Sequence, residues 1–232
     1  NRRGRPYWLF QSNMKSPLPV LVSSRGYGLF FNTAAVCRFE ATGHGMGFRS
    51  ACADSLEYFF MAGPSFDQIV GQYRRLTGRA ALLPRWLFGY IQSRERYGSA
   101  EELVSVVREF RRRRTPLDGI VQDWKYWPDE WWGQKTFDPE RYPDPSAMVE
   151  ALHAEDAKLM VSIWPNLRNE GPDRQELRSK SKLLGDGSVY NAFDPAALRL
   201  YWQQAERWFF AHGTDAWWCS STEPFNLEWG GE

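Results

Sequence analysis

Apolar and polar positions alternate in short runs over the first 60 or so residues, and glycine, serine or asparagine interrupts each run: "PYWLFQSN", "LPVLVSSRGYGLFFN", "AAVCRFEATG" and "DSLEYFFMAG". Runs this short, with a two-residue period, predict antiparallel strands rather than helices. The segment reads as the tail of a β-sandwich domain, placed at residues 1–64. From Ser65 the period lengthens. "SFDQIVGQYRRLTG" opens on a serine followed three residues later by Gln68, a capping-box start, and closes on Gly78, as a helix should. A second domain, residues 65–232, is expected to begin here.

Beyond Pro84 apolar strands and amphipathic helices alternate. "WLFGYIQSR" is strand-like. "SAEELVSVVREFRRRR" starts with the capping box Ser99 to Glu102 and sets Leu103, Val106, Val107 and Phe110 on one helical face. "DGIVQDW" is a second strand. Asp144–Pro145 places an N-cap before a proline at the first helical position, and "KLMVSIWP" follows as the third strand; Asp194–Pro195 repeats the device ahead of the fourth, "TDAWWCS". Near-continuous apolar strands alternating with helices argue for a parallel sheet, either open and doubly wound or closed as a barrel. No strand leads into a G-x-G-x-x-G turn or a Walker-type loop. The expected fold class is therefore α/β: the first half of a (β/α)8 TIM barrel preceded by the end of a β-sandwich. Four strands do not close a barrel, and the chain starts at Asn1 and stops at "EWGGE", so a segment of a longer protein is expected.

Composition narrows the partners. A formal net charge of +1 suggests neither nucleic acid nor an anionic membrane surface. The run Arg111 to Arg114 sits at a helix end, where cations complement the dipole, and reads as a solvated terminus. No run of about 18 apolar residues is present. Cys37, Cys52 and Cys219 have no metal-ligand spacing and imply no disulfide framework. Oligomeric state and compartment leave no signature. Twelve tryptophans and 16% aromatics exceed what a core of this size needs. Aromatic faces pack on the C–H faces of sugar rings and an indole N–H can hold a hydroxyl, so the excess points to a carbohydrate cleft, although core packing accounts for any single one of them.

In a barrel the site lies at the carboxyl ends of the strands. The residues collected there are Arg94 after the first strand; Asp123, Trp124, Tyr126 and Trp127 after the second; Trp164 and Asn166 after the third; and Trp218, Ser220 and Glu223 at and after the fourth. Asp123 could cap a turn, but a carboxylate between "IVQ" and "WKYW" is costly to bury unless a hydroxylated or cationic group meets it. Trp164 could be core, and Glu223 could cap whatever follows Pro224. His44, His153 and His212 show no triad or metal spacing, so serine nucleophile chemistry lacks a base.

Six ordered blocks, "LVSSRGYGLFFN", "DSLEYFFMAGPSFDQIVGQYRRLTG", "LPRWLFGYIQSRERY", "PLDGIVQDWKYW", "FDPERYPDPSAMVEALHAEDAKLMVSIWP" and "GTDAWWCSSTEP", resemble successive landmarks of glycoside hydrolase family 31, the α-glucosidase and α-xylosidase family. The resemblance covers essentially the whole chain. It implies a β-sandwich ahead of a catalytic barrel, no metal or organic cofactor, and retaining hydrolysis of α-linked glycosides or oligosaccharides. The family's fourth strand ends in a pattern like G-x-D-x-W-W-x-D-x-x-E-P, and Gly213, Asp215, Trp217, Trp218, Glu223 and Pro224 fit it. Its nucleophilic aspartate falls on Ser220. By the same carry-over Asp123 matches the acid that holds non-reducing-end hydroxyls, Trp164 the floor of that subsite and Trp218 the wall beside the nucleophile. The acid/base belongs to later strands.

A retaining glycosidase needs two carboxyl groups roughly 5–5.5 Å apart, one of which attacks the anomeric carbon. Serine supplies neither charge nor an activated nucleophile. Asp215, five residues back along a strand and so roughly 17 Å away, belongs to the other end of the barrel; Glu223 lies past the turn. Two readings result: an α-glycosidase, for α-xylosides or α-glucosides, whose nucleophile position holds Ser220 and which is inactive as given, or a non-hydrolysing relative that binds α-glycosides. A third, unrelated barrel chemistry, would need a metal or phosphate site that the sequence does not display. The "DAWW" wording leans to the xylosidase branch.

Overall fold

The computed structural model describes residues 6–10, 17–42, 45–185 and 187–220. Two compact units, Asn1–Leu82 and Leu83–Glu232, share the chain.

The first unit carries six strands: β1 (Tyr7–Leu9), β2 (Val20–Ser23), β3 (Tyr27–Phe31), β4 (Cys37–Thr42), β5 (Gly45–Ser50) and β6 (Tyr58–Ala62). They form two antiparallel sheets, ordered β1-β4-β5 and β2-β3-β6. Phe31 of β3 stacks on Phe48 of β5, ring centres 5.5 Å apart, so the sheets meet through their apolar faces. Helix α1 (Phe66–Thr77) is capped by Ser65, whose hydroxyl accepts the Gln68 N–H at 3.3 Å. It lies on β3 and β6. Gly28 makes that approach possible, because a Cβ there would stand 2.6 Å from Ile69 Cγ2. The junction expected at residues 64 and 65 thus comes one helix early: α1 packs with the strands that precede it.

The second unit contains β7 (Ile91–Gln92), α2 (Ala100–Arg112), β8 (Gly119–Gln122), α3 (Pro145–Ala154), β9 (Lys158–Ile163), α4 (Pro172–Ser179), a short hairpin β10 (Leu183–Leu184) and β11 (Val189–Tyr190), α5 (Pro195–Trp208) and β12 (Ala216–Cys219). Strands β7, β8, β9 and β12 make one parallel sheet in chain order. A doubly wound sheet reverses its strand order at a switch point, whereas a barrel adds each strand beside the last. The order here runs without reversal, and the fold is the first half of a (β/α)8 barrel preceded by the end of a β-sandwich.

Sequence explains how these elements start. Ser99 Oγ accepts the Glu102 N–H at 3.1 Å while the Glu102 carboxylate reaches back to the Gly98 N–H at 2.6 Å, a capping box shifted by one residue. Asp144 accepts from Ala147 N–H at 2.9 Å and Asp194 from Ala196 N–H at 2.7 Å, each ahead of its proline. The core lies between sheet and helices: Leu103 and Val107 of α2, Met148 and Leu152 of α3, and Phe209 after α5 close over Ile120, Leu159, Val161 and Ile163. Fully burying each such side chain contributes about 1.5–3 kcal/mol.

Three expectations change. The strand foreseen in "WLFGYIQSR" shrinks to Ile91–Gln92, because Arg85–Phe88 winds into a 3₁₀ turn after Pro84. Strand β5, helix α4 and the β10–β11 hairpin were not foreseen. The arginine run is not wholly solvated: Arg112 and Arg113 pair with Glu109 on the surface, but Arg111 donates to the carbonyls of Leu117, Glu155 and Asp156 at 2.8, 2.7 and 3.1 Å and ties α2 to the turn before β9.

Candidate active site

The two-residue period of the strands sorts their side chains. Ile120, Leu159, Val161, Ile163 and Trp217 join the helix-side core, and the same period turns Asp123, Ser162, Trp164, Trp218 and Ser220 to the opposite face or its rim, where Trp164 also packs against the edge of that core. Register then sets their heights. Trp218 pairs with Ser162, and Gln122 with Val161, so one step further Asp123 comes level with Ser162. The Ser220 N–H donates to the Ile163 carbonyl at 3.0 Å, which sets Ser220 beside Trp164. Asp123 and Ser220 therefore stand at the carboxyl edge with one strand between them, about 10 Å apart in the hydrogen-bonding direction.

Four indoles gather at the ends of β8 and β9. Trp132 lies 5.5 Å from Trp124, 5.9 Å from Trp127 and 5.5 Å from Trp164, ring centre to ring centre, and Trp127 meets Trp164 edge-on at 6.1 Å. Trp127 is buried and serves as core, whereas Trp124, Trp132 and Trp164 are partly exposed. The Trp164 Nε1–H donates to Ser162 Oγ at 2.9 Å, so this indole offers a ligand its face and not its N–H. The Arg96 guanidinium sits 5.3 Å from the Trp124 ring centre and Arg168 5.9 Å from that of Trp132, adding cations to the rim of the aromatic wall. Tyr126 turns inward and donates to the Ser162 carbonyl at 2.7 Å; burial pushes its phenol well above the usual tyrosine range, so it acts as a fixed donor. Trp218 is 50% exposed on the open face of β12.

The half-buried Asp123 carboxylate accepts the Trp124 N–H at 2.8 Å through Oδ1. That bond leaves the acid one backbone partner from its own loop. Arg94 does not join it: its guanidinium pairs with Glu102 at 2.9 Å and covers the Tyr97 ring. The expectation for Glu223 lies outside the described residues. Trp132 was missed, because "DEWWGQK" falls in a loop with no strand end to mark it; the loop's length between β8 and α3 was the usable signal.

Neither described histidine can activate Ser220. His153 Nε2 lies 2.8 Å from Asp215 Oδ2, and His212 Nδ1 lies 2.8 Å from Ser146 Oγ. Asp215 also accepts the Leu159 N–H at 2.9 Å and faces Lys158 Nζ at 3.1 Å, all at the amino end of the sheet. Among the described residues no three His, Cys, Asp or Glu side chains cluster closely enough to hold a metal ion.

The family model for the glycosyl hydrolases family 31 TIM-barrel domain matches residues 80–232. The chain belongs to glycosyl hydrolase family 31. An α-xylosidase of Saccharolobus solfataricus is 37% identical over 93% of this chain and 29% of its own length, and an uncharacterised family 31 glucosidase of Pseudescherichia vulneris is 31% identical over 93% and 43%. The crystal structure of a family 31 α-xylosidase from a soil metagenome, complexed with xylose, superposes with a TM-score of 0.88 at 30% identity, covering 97% of this chain and 35% of that one. The chain thus spans between a quarter and a half of the length of these family 31 relatives.

Proposed function

We propose that this chain forms the non-reducing-end half of an α-xyloside site in a family 31 protein, and that with Ser220 at the nucleophile position it binds such glycosides without cleaving them. Asp123 accepts hydrogen bonds from the terminal sugar hydroxyls, Trp164 is the floor under the ring, Trp124 and Trp218 are its walls, and Glu223 orients neighbours beyond the strand. The observation that carries the reading is the position of Ser220: it follows β12 directly, on the face that carries Trp218 and beside Trp164. A carboxylate there would face the anomeric carbon of a sugar lying over Trp164.

The chemistry follows from what serine lacks. Retention proceeds through a glycosyl ester formed by a carboxylate, while a second carboxyl protonates the departing oxygen. A neutral hydroxyl attacks only when a base removes its proton, and both described histidines have other partners. The xyloside preference is supported by the α-xylosidases among the relatives, one of them complexed with xylose.

Ser220→Asp in the full-length protein tests the reading. Release of aryl alcohol from an aryl α-xyloside, faster than from the α-glucoside and undetectable with Ser220, is expected. A folded Ser220→Asp protein that binds xylosides and cleaves none would instead favour the non-hydrolysing relative, for which the uncharged Ser220 is the motivating observation.

A further inference from the structure

Lys135 is fully buried in the loop between β8 and α3, and Asp173 beside it is 2% exposed. Their Nζ and Oδ2 atoms are 3.6 Å apart, too far for a hydrogen bond, and among the described residues Nζ has no hydrogen-bond partner. Burying an ammonium this way is unfavourable unless nearby negative charge and π density offset it. Burial lowers the lysine's pKa from its ordinary value, against the pull of Asp173 and Glu176. Two groups offset it: the Asp173 carboxylate at 3.6 Å and a ring, for Nζ sits 4.1 Å from the centre of Tyr201 on α5.

Tyr201 is held tightly. Its ring stacks on Tyr190 at 4.2 Å and 18°, and its hydroxyl donates to the Trp164 carbonyl at 2.7 Å. That carbonyl lies one residue past the last sheet bond, in which the Ser220 N–H takes the Ile163 carbonyl. Pro165 follows and restricts Trp164 to extended backbone. The plane of the Trp164 peptide is therefore fixed from one side by Tyr201. The loop that carries Lys135 also carries Trp127 and Trp132, the indoles that Trp164 meets edge-on.

We infer that Lys135 is a positioning residue of the sugar-binding rim: its buried charge, set on the Tyr201 ring, keeps that hydroxyl on the Trp164 carbonyl and so fixes the angle at which the Trp164 indole is presented. The significance of that angle rests on the proposal that Trp164 is the floor of the sugar site. The positioning itself does not.

The test is fluorine NMR on the full-length protein grown with 5-fluorotryptophan, with the Trp164 resonance assigned by its loss in Trp164→Phe. Tyr201→Phe, which deletes only the hydroxyl, and Lys135→Met, which keeps the side chain's length without its charge, are each expected to shift that resonance. The double variant is expected to shift it no further than Tyr201→Phe alone. Where Lys135→Met does not fold, Lys135→Arg decides: displacing the cation on the ring must still move the signal. A Trp164 resonance that stays in place in a folded Lys135 variant, or in Tyr201→Phe, overturns the inference. A resonance that responds to Lys135 but not to added xylose keeps the positioning role and overturns the sugar-floor proposal; one that responds to xylose but not to Lys135 does the reverse.

Discussion

The two ends of the parallel sheet treat their polar groups in opposite ways. At the amino end Asp215 is held by His153, Lys158 and the Leu159 N–H, and Arg111 by three carbonyls. At the carboxyl end Asp123 accepts a backbone N–H from its own loop, Trp218 is half exposed, and Ser220 has its N–H in the sheet. The first pattern makes a fold stable, since charges that are paired and hydrogen-bonded hold elements together. The second leaves acceptors and aromatic faces open, as the proposed sugar site requires. In (β/α)8 barrels this is the division of labour between the stabilising face and the working face, and it separates Asp215 from Ser220 only five residues apart.

Substitutions that disturb this contrast should rank as follows. The largest effect is expected at Gly133, whose φ is 76° and where an added Cβ would stand 2.1 Å from the Asn166 carbonyl oxygen. Gly133→Ala should cost about 3 kcal/mol and disturb the carboxyl rim, read as a lower urea midpoint together with weakened xyloside binding. Next, Asp215→Asn should lower stability by about 2 kcal/mol while leaving xyloside affinity unchanged in the full-length protein; a loss of affinity without loss of stability would erase the contrast. Burial alone would raise the Asp215 carboxyl, but His153, the Leu159 N–H and Lys158 outweigh it and hold the group below its ordinary value. A depressed folded pKa means that the contribution is complete above the unfolded value, near pH 4, and is lost as pH falls through the folded one. Denaturation midpoints of the parent and Asp215→Asn should therefore converge below about pH 4.

Asp123→Asn works at the other rim. It should reduce xyloside affinity about tenfold or more, the value of a hydrogen bond to a charged acceptor, with a thermal midpoint unchanged within error. Smallest of all, Trp218→Leu should weaken xyloside binding by about 1 kcal/mol through loss of an aromatic face, with no loss of stability because half of that side chain already meets solvent. Isothermal titration and thermal melts of the same samples distinguish these cases.

Much of the second unit was legible because its signals are local. The serine and aspartate caps, the prolines at first helical positions and the apolar strands each act within a few residues, and Ser99, Asp144 and Asp194 all cap as their spacing suggests. The strand ends followed, so Asp123, Trp164, Trp218 and Ser220 could be placed on one rim. What escaped depends on distant partners. Arg111 reads as a solvated residue in the sequence because the carbonyls it serves lie up to 45 residues away. Lys135 is an ordinary loop lysine until α5 brings Tyr201 against it. Arg94 belongs with the rim by its position in the sequence, but Glu102, eight residues on, captures it. Helix α1 carries no mark in its own letters of which neighbour it joins; Gly28, far behind it, holds that information.

The bond from the Trp164 indole to Ser162 has a corollary for selectivity. An aromatic surface with its one donor already engaged senses the outline and dryness of whatever lies on it, and is blind to the stereochemistry of individual alcohols. In the proposed sugar site, telling a pentose from a hexose would then fall to groups around the periphery, where an extra hydroxymethyl would collide or fit.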